Sequence, residues 1–166
     1  MSRSGYTDDY DEDGTGWLWR GAVTRALTGR RGQAALKEIA AALDAMPEKS
    51  LAAESLVTED GEFCTLGVLG KARGLDMTPI DPEDWDAVAK SFGIAPAMVR
   101  EIVFENDESV SSTDWVDVDL CGPVRPGYPD WGRHQRSVLV DIPNAGYRRW
   151  QHMRRWVADQ IKEPQA

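Results

Sequence analysis

The chain has few of the residues on which catalysis and metal binding most often depend. It holds two cysteines, Cys64 and Cys121, and two histidines, His134 and His152, among 166 residues. With no C-x-x-C pair and no cysteine–histidine cluster, no zinc site is expected, and two thiols fit a reducing compartment better than a disulfide scaffold. Neither histidine sits in a nucleophile motif, and Ser137 and Cys64 have no local signature to raise them, so no enzyme and no cofactor are expected. Asp114, Asp117 and Asp119 lie near Asn106, Asp107 and Glu108 but lack EF-hand spacing. Alternating aspartates on a strand are its wet face, and no metal is expected there. No apolar run reaches the length of a bilayer-spanning helix, and residues 1–16 lack the apolar centre of a secretion signal, which points to a soluble cytoplasmic protein and away from membranes. Positive charge is scarce too. A net charge of −9 argues against bulk attraction to nucleic acid, so any such binding would need a local patch.

What is present is a core and an unequal distribution of charge. An apolar fraction of 42% suffices for one compact domain, and the seven tryptophans are candidates for core anchors or interface contacts. Acidic runs recur (DDYDED, TEDGE, DPEDWD, ENDE), as solubilising faces and helix N-termini do. Against them stands YRRWQHMRRW at residues 147–156, with four arginines, a histidine and two tryptophans.

Residues 1–14 read as a disordered acidic tail, held extended by like-charge repulsion. Residues 15–166 read as a single helical domain with an insertion at 109–146. The expected fold is mainly α: a five- to six-helix globular domain around a tryptophan-rich core, with a small β-hairpin insertion before the C-terminal helix. Thr15 is a plausible N-cap, and Trp19, Ala22, Val23, Ala26 and Leu27 keep the spacing of a core-facing helix. Gly29 is expected to end it with a positive φ. A second helix spans about 32–46, with Leu36, Ile39, Ala40 and Leu43 on one face, antiparallel to the first. Glu59–Asp60–Gly61 reads as a tight hairpin turn, and residues 65–73 as a third helix whose Gly67 and Gly70 allow close approach of another element. Asp81–Pro82–Glu83–Asp84 reads as N-cap, proline at the first helical position and two acids at the positive helix end. Trp85, Val88, Ala89 and Phe92 follow as a buried stripe ended by Gly93. A further helix starts near Pro96. Strands are expected at 115–120 and 137–142, joined by a long proline-rich tip, and a final helix begins near Asn144.

The stretch Ala89–Phe92–Gly93–Ile94–Val99–Ile102 has helix-turn-helix spacing. Its second helix offers base edges little besides Arg100 among acids, so a packing motif is the better reading. In the final helix, Arg148, His152 and Arg155 fall on one face at i, i+4 and i+7, with Arg149 and Trp156 on the adjacent flank. Arginines beside aromatic rings suit phosphates, stacked bases or an acidic protein. They form the expected partner-binding site, unless they pair with the chain's own acids. The loop residues Tyr128, Trp131 and Arg133 are a second candidate surface. Arg30 and Arg31, just before the second helix, are a weaker candidate for holding an anion.

The segments WRGAVTRALTGRRGQAALKEIAAALDAMPEKSL, GLDMTPIDPEDWDAVAKSFGIAPAMVREIVFENDE and MRRWVADQI resemble a family of small uncharacterised proteins encoded by temperate phages and prophages of proteobacteria. The resemblance covers most of residues 19–108 and a short C-terminal piece. In that family the join between the ENDE stretch and the final helix is often much shorter, which makes residues 109–147 particular to this chain. The resemblance implies no catalytic residues. It implies a non-enzymatic accessory protein in a bacterial host cell, one that binds a host or phage protein or ribonucleoprotein. Inhibition of a host defence complex, of the anti-CRISPR kind, is the function it suggests. The alternative is a nucleic-acid-binding regulator of helix-turn-helix type, with the basic C-terminal helix as a further nucleic-acid contact. Oligomeric state is left open.

Overall fold

The structure, a computed structural model, describes residues 3–6, 16–119 and 135–162. Its first two helices, α1 (Gly16–Thr28) and α2 (Arg30–Ala45), are joined through the single residue Gly29. Val23 and Leu27 of α1 belong to the same buried core as Ala35, Leu36, Ile39 and Leu43 of α2, as the apolar spacing requires. Gly29 itself is extended (φ −70°, ψ 157°), so the expected positive φ at this helix end is not used. α1 stops because the chain reverses directly into α2.

A one-bridge hairpin, Val57 to Phe63, turns at Gly61 and leads into α3 (Thr65–Ala72). The Cys64 sulfur caps α3 by accepting from the Gly67 amide at 3.4 Å. A Cβ on Gly67 would overlap the Leu56 carbonyl oxygen, so glycine is what allows α3 to lie against the hairpin.

α4 (Trp85–Phe92) is capped by Asp84, whose carboxylate accepts from the Ala87 amide at 2.9 Å. The expected cap, Asp81, instead closes the preceding turn by accepting from the Glu83 amide at 2.9 Å. The same run of acids serves twice, one turn earlier than the helix itself. Gly93 ends α4 in the left-handed conformation (φ 62°), and Pro96 opens α5 (Pro96–Val103). A π-helical turn, Phe104–Glu108, continues α5 and leads to β1 (Thr113–Asp119). β2 (Gln135–Asp141) pairs antiparallel with β1, and α6 (Ala145–Gln160) closes the chain.

The fold is therefore mainly α: among the described residues, six α-helices with a two-stranded hairpin before the last. Leu36, Ile39, Leu69, Met98, Ile102 and Met153 are among its fully buried side chains. The core is aliphatic rather than tryptophan-rich. Trp19, Trp85, Trp150 and Trp156 pack half-buried around it, each indole covering apolar surface at its edge. Trp150 donates its N–H to the Leu43 carbonyl at 3.1 Å and so ties α6 to α2.

Residues 3–6 correct the reading of residues 1–14 as a disordered tail. Arg3 pairs with Asp107 at 2.6 Å, the Ser4 amide donates to Glu108, and Trp85 donates to the Arg3 carbonyl at 3.0 Å. The Tyr6 hydroxyl donates to Glu101. Charge density dominates the composition of this segment, and the short motif ahead of the acids, which carries its own cation and aromatic ring, finds carboxylates on α5 and the π turn. The remainder of 1–14 lies outside the described residues.

Candidate functional site

The expected cationic face of α6 is divided by its surroundings. Arg149 is 3% exposed. Its Nε donates to the Asn106 carbonyl, one terminal nitrogen to the Leu51 carbonyl, both at 2.8 Å, and the other to Ser112 Oγ at 2.7 Å. Burial pulls its pKa down, while the Asp107 carboxylate pushes it back up. A partner cannot reach such a group. Arg149 is a structural clamp that fastens the π turn, residue 51 and the base of the hairpin to α6, and its expected place in the binding face is withdrawn. His152 Nε2 lies 2.7 Å from Glu105 Oε2. Arg154 is forked onto Asp44 at 2.6 and 2.8 Å, which holds the aspartate below the usual carboxylate range. Trp156 is half-buried against the core. Arg148 and Arg155 remain exposed, and among the described residues no carboxylate pairs with either. Tyr128, Trp131 and Arg133 lie outside the described residues.

Arg30 and Arg31 are exposed within the first turn of α2, not before it. They add positive charge to the helix end that is already positive. The helix-turn-helix spacing reflects packing. Ala97, Met98, Val99, Glu101, Ile102 and Val103 of α5 are buried. Arg100, the one cation of α5, has its guanidinium carbon 4.4 Å from the ring centres of both Trp19 and Trp85 and 5.3 Å from that of Tyr6. Its Nε donates to the Ser4 carbonyl at 2.6 Å. With its cation enclosed by rings and its length enclosed by neighbours, α5 has no face to lay in a DNA groove.

Cys64 is buried, which pushes its thiol pKa up and makes it a poor nucleophile. Among the described residues, one open cleft of about 410 Å³ lies between the end of α2, the 57–63 hairpin and α3, and another of about 520 Å³ beside residues 75–82. The charged groups that line the first, Glu48, Asp60, Glu62 and Lys71, are exposed.

The feature that sequence reasoning undervalued is the hairpin. Its register sets Trp115 opposite Leu139, Val116 opposite Val138, and Val118 opposite Arg136. Directly opposed residues share a face, so Trp115 and Leu139 lie on one side with Asp117, Ser137, Asp119 and Gln135, and the valines lie on the other. On the first side Asp117 accepts from Ser137 Oγ and Asp119 from Gln135 at 3.0 Å. Neither side is covered by another described element. Trp115 is 66% and Leu139 53% exposed, and the ribbon makes no extensive contact with any helix. Its anchorage is at the base, where Arg149 holds Ser112 and the Ile142 amide donates to the Ser112 carbonyl at 2.8 Å. Alternation of valine and aspartate in the first strand was visible in the sequence. Among the described residues there are two strands in the sheet and no further helix packed on them, which leaves both faces uncovered.

No protein-family model matches this chain, and no curated protein or solved structure is similar to it.

Proposed function

We propose that the protein is a non-enzymatic accessory protein that binds a macromolecular partner through the β1–β2 ribbon, with Arg148 and Arg155 as a second contact. The observation that carries this reading is the cross-strand pair Trp115 and Leu139, held open to water on a projecting ribbon. Exposed large apolar groups on a monomer mark interaction sites, and tryptophan is the commonest hot-spot residue. Four aspartates and one arginine among the described ribbon residues favour a protein with basic surface over a phosphate backbone. The setting, a temperate phage acting on a host defence complex, rests on the resemblance in residues 19–108 and 153–161. Nucleic-acid binding through α5 has no support in the geometry.

The experiment is affinity capture from cells of the bacterial host, with three forms of the tagged protein compared by quantitative mass spectrometry. Trp115→Ser with Leu139→Ser should lose the partner that the wild type captures, with unchanged circular dichroism. Arg148→Glu with Arg155→Glu should weaken capture. Full retention by the Trp115/Leu139 variant removes the ribbon as the binding site.

A further inference from the structure

The valine side of the ribbon has a property that its Trp115 side lacks: it is complementary to itself. Along the ribbon it consists of three rows, Asp114 with Val140, Val116 with Val138, and Val118 with Arg136. A carboxylate stands at the domain end and a guanidinium at the far end, with valines in the middle row and diagonally across both outer rows. Within one chain the two charged rows are four residues apart, about 14 Å, so Asp114 and Arg136 cannot meet. Among the described residues, Arg136 has no ion-pair partner.

Consider a two-fold axis perpendicular to the strands, between two such faces. It lays the first row of one copy on the third row of the other, and the middle rows on each other. Asp114 then faces Val118 of the second copy and lies diagonally across from its Arg136, while Val140 faces that Arg136 and lies diagonally across from Val118. Because the operation is a two-fold, both pairs form twice. Stacked sheets stand about 10 Å apart and cross at roughly 30°, a gap an arginine and an aspartate can span together. The arrangement is also open sterically. The ribbon joins its domain at the Thr113–Asp141 end, so reversing one copy places the two helical domains at opposite ends. The alternative axis, parallel to the strands, would bring both domains to the same end and set no Asp114 near an Arg136.

We infer that the valine face of the ribbon associates with the same face of a second copy of this chain, as an isologous dimer bracketed by two Asp114–Arg136 pairs. This rests on the reading of the ribbon as an interaction surface, and it assigns the face opposite to Trp115 and Leu139. A face built from two seven-residue strands measures about 24 by 10 Å. That falls short of the ~800 Å² per partner of a stable complex. The dimer is therefore weak and concentration-dependent, and it presents two outward Trp115–Leu139 pairs to a partner, which adds avidity.

Sedimentation velocity from low-micromolar to millimolar protein tests this. The wild type should shift from monomer to dimer across that range. Asp114→Arg alone sets arginine against arginine, and Arg136→Asp alone sets aspartate against aspartate. Each should weaken association by about tenfold or more. The double exchange, Asp114→Arg with Arg136→Asp, should restore it, and Val138→Lys, in the central row, should abolish it. Circular dichroism of each variant should match the wild type. A wild type that stays monomeric, single exchanges without effect, or a double exchange that fails to restore the dimer would each overturn the inference. Partner capture reports separately. Trp115→Ser with Leu139→Ser should lose the partner and keep the dimer, while Asp114→Arg should lose the dimer and still capture.

Discussion

Arg149 donates to the carbonyl of Asn106 at 2.8 Å, and Asn106 is itself saturated. Its side-chain oxygen accepts from the Thr65 amide at 3.1 Å and the Thr65 hydroxyl at 2.7 Å, and its Nδ2 donates to the Ala52 carbonyl at 3.0 Å. Through these two residues α3, the residue 51–52 segment, the π turn and α6 share one buried polar network. Such networks stabilise when complete and cost most when one member is removed, because the partners stay buried without water.

Arg149→Met keeps much of the side-chain volume but leaves the Leu51 and Asn106 carbonyls unpaired. A loss of about 3 kcal/mol is expected in urea unfolding. Arg148→Glu, one residue earlier on the exposed face, should change stability by less than about 0.5 kcal/mol. Equal effects of the two would remove the distinction between clamp and surface.

The contrast between these neighbours shows where the sequence could and could not be read. Apolar periodicity located the six α-helices of the described residues, and both strands were placed to within two residues, the first by its alternation of valine and aspartate. The inward positions Met153 and Val157 were legible for the same reason. Arg149 was not, because a helical repeat places it on a flank, and only the π turn bringing Asn106 and Leu51 alongside makes that flank an interior. His152 and Arg154 followed the alternative raised from the sequence, pairing with the chain's own acids, but Glu105 and Asp44 are distant in sequence and carried no local mark. Arg3–Tyr6 were hidden by the acidic run that follows them.

Two glycines separate close packing from backbone freedom. Gly67→Ala forces a methyl group into the Leu56 carbonyl oxygen, a contact between two backbones that cannot easily move apart, and should cost about 3 kcal/mol. Gly93→Ala meets nothing within 4 Å but must hold φ at 62°, and should cost about 1 kcal/mol. Thermal and urea denaturation of the pair measure the difference, and a reversed order would mean that the α3–hairpin contact is looser than described.

Tyr6 sets the pH range over which residues 3–6 stay docked. Burial, then its hydrogen bond to the Glu101 carboxylate and the charge of that carboxylate, push its hydroxyl well above the ordinary tyrosine value. A pKa raised on docking contributes in full below the undocked value and is lost as pH climbs beyond it. Docking should therefore be constant from neutral pH to about 10 and weaken above that. Near-ultraviolet absorbance should show one tyrosine ionising later than the others, together with a change in tryptophan fluorescence as Trp19 and Trp85 lose the strap. Tyr6→Phe should lack the late ionisation, and a wild type with every tyrosine titrating in the ordinary range would contradict the docking.

The ribbon should be removable. Thr113 and Asp141 are partners in the ladder, so their α-carbons stand about 5 Å apart, and a few glycine and serine residues can replace 114–140. The network at Arg149 survives this change, because Ser112 lies outside the deleted stretch. No described helix gives up extensive packing. The thermal midpoint should stay within about 4 °C of the wild type, and the helical circular dichroism should be retained. The shortened chain should fold, stay monomeric at every concentration and capture no partner. A shortened chain that failed to fold would show that the segment supports the helical domain, and the ribbon could then no longer be treated as an appendage kept for binding.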